Sequence, residues 1–281
     1  MIYTLQKLIR AVQLSGIENP DSGTMDPDDI ADRINEEQEY LASVVLHIRP
    51  DMLCAYWDLT TTGTREYGVV SGMPRYLDHV SVIEDVSGTN PMGSRVLRFE
   101  ERFSYLTTLS ANAIGWYFRG GKLGIPDYDT GTQLRVYYPK RPAPLFYGTV
   151  AAGTSTTVTF PSTPTVGELI PEDDVYNGML VKLDDGQVRE VTGYTASAYK
   201  ATVDVAWSTT PTTDNVISLV SPIFPRFQEM LHLGAAIRLR AGSDDEINQI
   251  RFEYDRLMNQ LEAFMGREQS QETKRVRKIA R

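Results

Sequence analysis

The chain has 281 residues, 41% hydrophobic and 23% charged, an ordinary globular composition that excludes collagenous and wholly disordered classes and allows one large domain or two of about 100–150 residues. Its one cysteine, Cys54, excludes an intrachain disulfide framework and a multi-cysteine zinc site. A net charge of −9 argues against a generally basic DNA- or membrane-binding protein, and no apolar run approaches the roughly 18–20 residues of a membrane span. The opening MIYTLQKLIRAVQ lacks the order of a signal peptide, so synthesis in the cytoplasm is expected. Charge is uneven. Glu18–Tyr40 carries nine acidic residues against one basic, whereas Lys274–Arg281 carries five basic residues and no acidic one.

Leu5, Leu8, Ile9 and Val12 stand at helical spacing, predicting a helix over 3–14 that Gly16 stops. Asp26-Pro27 reads as a second helix start. Asp26 caps the first amides, Pro27 stands where no donor is needed, and Asp28 and Asp29 face the positive end of the dipole. Ile30, Ile34, Leu41, Val45 and Ile48 give that helix one apolar face, and Pro50 ends it.

Residues 51–140 read as mainly β, with short strands at Arg65–Ser71, Leu77–Ser87, Arg95–Phe99, Ala113–Gly120, Lys122–Ile125 and Thr132–Tyr138. A short helix is expected at Glu100–Leu109, and Gly120-Gly121 suits a tight hairpin. Residues 148–220 are rich in Thr, Val, Gly and Asp. They predict about six strands, with Asp185-Gly186 as the strongest hairpin signal. Pro225–Ala241 reads as a helix. Ser243 and Glu246 form a capping box for the next one, which carries Ile247, Ile250, Tyr254, Leu257, Leu261 and Phe264 and is expected to stop at Gly266. The last two helices form an αα-hairpin.

The expected fold is α+β: a helical host domain with a β block (1–147 and 221–266), an inserted small all-β module (148–220), and a basic C-terminal tail (267–281).

Catalytic signatures are missing. There is no phosphate loop, no GxGxxG opening a helix and no GxSxG. His47, His79 and His232 stand far apart and read as structural, because a metal site needs several convergent ligands. Neither a metal nor a cofactor is expected. Cys54 reads as a buried, inert thiol. Glu100-Glu101, Asp26–Asp29 and Asp184-Asp185-Gly186 read as a solvated face, a helix cap and a turn. Trp116-Tyr117-Phe118 read as strand residues packed in a core, and Tyr137-Tyr138 as strand residues with one ring buried and one exposed.

Three stretches together resemble the head-to-tail adaptor (connector) proteins of tailed bacteriophages. They are the acidic-capped helix with INEEQEYLA (Ile34–Ala42), the segment GWYFRGGKLGIPDYDTGTQLRVYYPKRPAPL (Gly115–Leu145), and the closing helix pair with its basic tail. The resemblance implies a structural, non-enzymatic virion protein at the head–tail junction. It implies a ring of copies, usually twelve, bound to the portal protein and offering a platform to tail proteins. DNA would pass through the channel without sequence-specific binding, and no membrane is involved. It also implies that the tail docks on the portal. Lys274, Arg275, Arg277, Lys278 and Arg281 would supply charge there, with Val276 and Ile279 as apolar anchors. Two other readings compete: a virion peptidoglycan hydrolase using two carboxylates, and a carbohydrate-binding module at 148–220 stacking sugars on Trp207, Tyr194 or Tyr199.

Overall fold

The structure is a computed structural model. It describes residues 2–14, 25–64, 66–68, 80, 82–87, 95–96, 98–99, 115–120, 122–125, 129–239 and 244–279; at 50–51, 95–96, 98–99, 115, 244–246 and 267–279 the description is of the backbone. These residues form a mixed α+β fold of four α-helices and three sheets. The expected helix at Glu100–Leu109, the Ser243 cap, Gly121, Gly242 and His79 lie outside the described residues.

The chain forms two compact units, Met1–Arg49 with Pro142–Arg281, and Pro50–Arg141. This differs from the expected division. The β-rich residues after 142 belong with the helices, not to a separate guest at 148–220, and it is Pro50–Arg141 that forms its own unit. Side chain–backbone hydrogen bonds between the helices and that β-rich region tie the two together. The Leu5 amide donates to Ser218 Oγ, the Gly167 amide to Asp28 Oδ1, and the Leu145 amide to Asn35 Oδ1 at 2.7 Å. None of these long-range bonds leaves a periodic signature in the sequence.

In the first unit, helix α1 (Leu5–Leu14) buries Leu5, Leu8, Ile9 and Val12. Helix α2 (Pro27–Ile48) starts as its chemistry dictates, with the Asp26 side chain accepting from the Asp28 amide and Pro27 in the first turn. Helix α3 (Glu229–Leu239) is shorter than the expected Pro225–Ala241, because residues 225–228 form turns. Gln228 organises those turns. It donates to the carbonyls of Ser221 and Ile223 and accepts from the Tyr3 amide.

Helix α4 (Asp244–Ile279) runs 36 residues and does not stop at Gly266. A glycine inside a helix costs about 1 kcal/mol against alanine. Here it is flanked by strong helix formers (Arg267, Glu268, Gln269), and a Cβ on it would meet nothing within 4 Å. Basic residues near the C-terminal end also complement the helix dipole.

Seven strands complete this unit: β9 (Tyr147–Thr149), β10 (Ala152–Gly153), β11 (Thr157–Thr159), β12 (Leu180–Leu183), β13 (Val188–Thr195), β14 (Lys200–Val203) and β15 (Val216–Val220). Their order in the antiparallel sheet is β10-β11-β14-β13-β12-β15-β9. Gly186, at φ +96°, closes the β12–β13 hairpin that Asp185-Gly186 predicts. Phe146, Phe160, Tyr176 and Tyr194 form an aromatic cluster, with centroids 4.7–5.8 Å apart.

The second unit holds β1 (Cys54–Thr60), β2 (Glu66–Tyr67), β3 (Val82–Asp85), β4 (Arg95–Val96), β5 (Arg98–Phe99), β6 (Gly115–Arg119), β7 (Lys122–Gly124) and β8 (Gln133–Pro139). They pair as β1-β8-β3-β4 and β2-β7-β6-β5. Every pairing is antiparallel except β5 with β6. Leu59, Tyr67, Ile83, Trp116, Leu123, Leu134, Val136 and Tyr138 make the core, with Trp57 and Phe118 packed against it. As expected, Trp116-Tyr117-Phe118 are packing residues. Strand β1 stands apart from the sequence expectations. Its Cys54 is exposed, not buried, because the alternation of CAYWDLT turns Cys54 outward with Tyr56 and Asp58.

Candidate functional site

The INEEQEYLA stretch of α2 is where the helices are locked together. Ile34 and Leu41 are buried hydrophobics, and position 37 falls between them on the same stripe, three residues after one and four before the other. Glu37 occupies that place at 2% exposure. An uncompensated carboxylate there would cost several kcal/mol. Two other helices supply its partners. Arg238 of α3 donates to Oε2 through Nε at 3.1 Å and Nη2 at 2.9 Å. The Tyr254 hydroxyl of α4 donates to Oε1. Burial raises the Glu37 carboxyl above its ordinary range, opposed by the bonds from Tyr254 and Arg238. Burial and the Glu37 charge likewise push the Tyr254 phenol well up.

Room for the carboxylate is made by Gly234 of α3. A Cβ there would lie 2.5 Å from Glu37 Cγ and 2.6 Å from Oε2. Beside the cluster Arg238 also reaches Glu36 at 3.9 Å and the face of the exposed Tyr40 ring at 6.0 Å. The same stretch fixes the chain entering the seven-stranded sheet. Gln38 Nε2 donates to the Ala143 carbonyl, and Asn35 bonds both the amide and the carbonyl of Leu145. One short segment thus ties α2 to α3, to α4 and to the sheet.

Helix α4 continues from this locked point. Ile247, Leu257 and Leu261 of the stripe read from the sequence are buried along it, and Met265 is buried where Phe264 was expected; Ile250, Tyr254 and Phe264 are half-buried. Beyond Met265 the backbone stays helical through 267–279, about 20 Å at 1.5 Å per residue. Lys274, Arg275, Val276, Arg277, Lys278 and Ile279 therefore ride on a helix continuous with the body, whereas a separate tail was expected. Arg281 lies outside the described residues.

The other candidates do not converge. His47 is exposed near the end of α2. His232 lies in α3, and burial lowers its imidazole while Glu253 opposes the shift. Asp26 caps α2, Asp28 accepts from the Gly167 amide, Asp184 accepts from Asn215, and Asp185 accepts from Gln187 within its own turn. Glu100 and Glu101 are outside the described residues. Among the described residues no group of three or more His, Cys, Asp or Glu could hold a metal ion, and no helix is long and apolar enough to cross a membrane. Of the three rings offered for sugar stacking, two are inside the fold: Tyr194 is 3% and Trp207 5% exposed. Tyr199 is half-buried in a left-handed turn at φ 49°.

Family models show no match to the chain, and a search of curated proteins finds no significant relative.

Proposed function

We propose that this chain is a structural virion protein that acts by assembly: a head-to-tail adaptor that forms a ring of copies under the portal, joins head to tail and lengthens the DNA channel. It works without cofactor or catalysis. The observation that carries this reading is α4, which is anchored at Tyr254 to the buried Glu37 and continues as helix for fourteen residues past Met265, bearing the basic run 274–278.

A positively charged helix suits docking into crevices of an acidic collar. Ordering a segment costs a few kcal/mol on binding, and a segment already helical escapes part of that cost. Many copies on one ring add avidity without new contacts. The acidic balance of the body, net −9 for the whole chain, suits a channel wall that DNA passes without being held. The portal-facing residues in this reading are Lys274, Arg275, Val276, Arg277, Lys278, Ile279 and Arg281.

The test is attachment to purified portal rings. A chain ending at Gly266 keeps the Glu37 lock and folds, but no longer sediments with the rings. Unchanged cosedimentation of that truncated chain would contradict the reading.

A further inference from the structure

Helix α1 (Leu5–Leu14) holds no acidic residue, and its apolar stripe Leu5, Leu8, Ile9 and Val12 is spent on the core. At about 100° per residue, Lys7, Arg10 and Leu14 stand on the side of the helix opposite that stripe. All three are exposed, Leu14 to 77%. Among the described residues neither Lys7 nor Arg10 has a salt-bridge partner. Their two positive charges are three residues apart, about 4.5 Å along the helix axis.

The start of helix α2 (Pro27–Ile48) is the reverse. Asp28, Asp29, Asp32 and Glu36 are exposed on its outer side. Two of them have partners in the same copy. Asp28 Oδ1 accepts from the Gly167 amide, and Glu36 lies 2.6 Å from Arg33 and 3.9 Å from Arg238. Among the described residues Asp29 and Asp32 have no salt-bridge partner. Burial raises the Asp32 carboxyl above its ordinary range, the charges of Asp28, Asp29 and Glu168 raise it further, and Arg33 opposes them. Neither Lys7 nor Arg10 is among the charges acting there, so the basic side of α1 and the acidic side of α2 do not meet within one copy. The two unpaired carboxylates, like the two unpaired cations, are three residues apart on a helix.

We propose that the outer side of α1 docks on the start of α2 of a second copy, antiparallel, with Arg10 against Asp29 and Lys7 against Asp32. The equal spacing brings opposite charges together at both positions. The antiparallel direction lays the negative C-terminal end of α1 over the positive N-terminal end of α2, and it carries Leu14 towards the half-buried Met25. A second copy is the occupant because this chain carries both halves of the contact at one spacing. A partner with only an acidic or only a basic patch would satisfy one half and leave the other open. The contact joins two different surfaces, so it repeats head to tail from copy to copy. It gives the ring of the proposed function its copy-to-copy contact, and it rests on that reading only for closure into a ring. Exposed ion pairs hold weakly and set partner choice and register more than affinity, so in the free chain the contact is a transient one.

Covalent capture reads a transient contact. A carbodiimide joins an ammonium to a carboxylate that it touches, here Lys7 to Asp32, and no portal is needed. Equal parts of unlabelled and isotope-labelled full chain, at sub-millimolar concentration and low salt, should give dimers and a ladder of larger species on a denaturing gel. Mass spectrometry should find Lys7 of one isotope linked to Asp32 of the other, and high salt should weaken that link. Arg10→Glu leaves both linked groups in place and should cut the link about tenfold, with an unchanged circular dichroism spectrum. Asp29→Arg should do the same. Mixing those two chains should restore the link, because each supplies the half that the other has lost. A wild-type chain with no mixed-isotope link, a link indifferent to Arg10→Glu, or a mixture that stays unlinked would each overturn the proposal. Portal attachment is read separately, by the truncation at Gly266, so a failure of this contact and a failure of portal docking are told apart.

Discussion

Gly234→Ala tests the lock between the helices. Alanine in a helix interior is worth about 1 kcal/mol over glycine, so propensity alone predicts a more stable protein. The packing predicts the reverse. The added Cβ would sit 2.5 Å from Glu37 Cγ and 2.6 Å from Oε2, so the carboxylate must withdraw by about an ångström from Arg238 and Tyr254. Each charge-assisted bond is worth about 1.5–3 kcal/mol. Arg238 is 39% exposed in its side chain, and its share is discounted for solvent. The balance is a net loss of about 2 kcal/mol. For a unit of this size that lowers the melting temperature by about 4–8 °C. Thermal and urea unfolding measure it. Glu37→Ala removes the obstacle, so in that background Gly234→Ala should be neutral or stabilising by about 1 kcal/mol, a coupling of about 2–3 kcal/mol in the double-mutant cycle. A Gly234→Ala protein more stable than the wild type would refute the reasoning.

Two pH effects follow from burial. The His232 imidazole is held below its ordinary value by burial, so the unfolded chain takes up its proton first as pH falls. Stability should therefore be full above the ordinary histidine value of about 6.5 and decline as pH drops below it; His232→Gln should flatten that slope in melting scans between about pH 7.5 and 5.5. On the alkaline side, burial pushes the Tyr194 phenol up to about 12, with Tyr199 and Asp173 adding to the shift. Its contribution is present below about pH 10, where a free phenol ionises, and is lost as pH rises towards 12. Ultraviolet titration should show a late phenolate step that Tyr194→Phe removes.

The helices were legible because burial writes a period of three and four into the chain. The stripes Leu5–Val12, Ile30–Val45 and Ile247–Leu261 could be read directly, as could the Asp26 cap and the Asp185-Gly186 hairpin. Glu37 was missed, although its place between Ile34 and Leu41 marks it, because a carboxylate on an apolar stripe reads as solvated until its partners are known. Those partners are more than 200 residues away in the chain, at Arg238 and Tyr254. The division into units was misread for the same reason. Composition changes near 148, but the bonds from Asn35, Gln38 and Asp28 that hold the sheet to the helices are long-range and leave no local pattern. Helix α4 passes Gly266 because a glycine stops a helix only where the chain must turn into the left-handed region or lose its helix formers, and neither holds here. Strand β1 alternates clearly, yet the Pro50 that precedes it and the single buried leucine within it gave a weak signal.

The central claim is that this chain works by fitting against copies of itself and the portal. Light scattering of the purified protein with and without portal rings tests it most directly. The account predicts a portal complex heavier by many copies of the full chain, and no such gain for a chain ending at Gly266. An unchanged portal mass with the full chain present would contradict it.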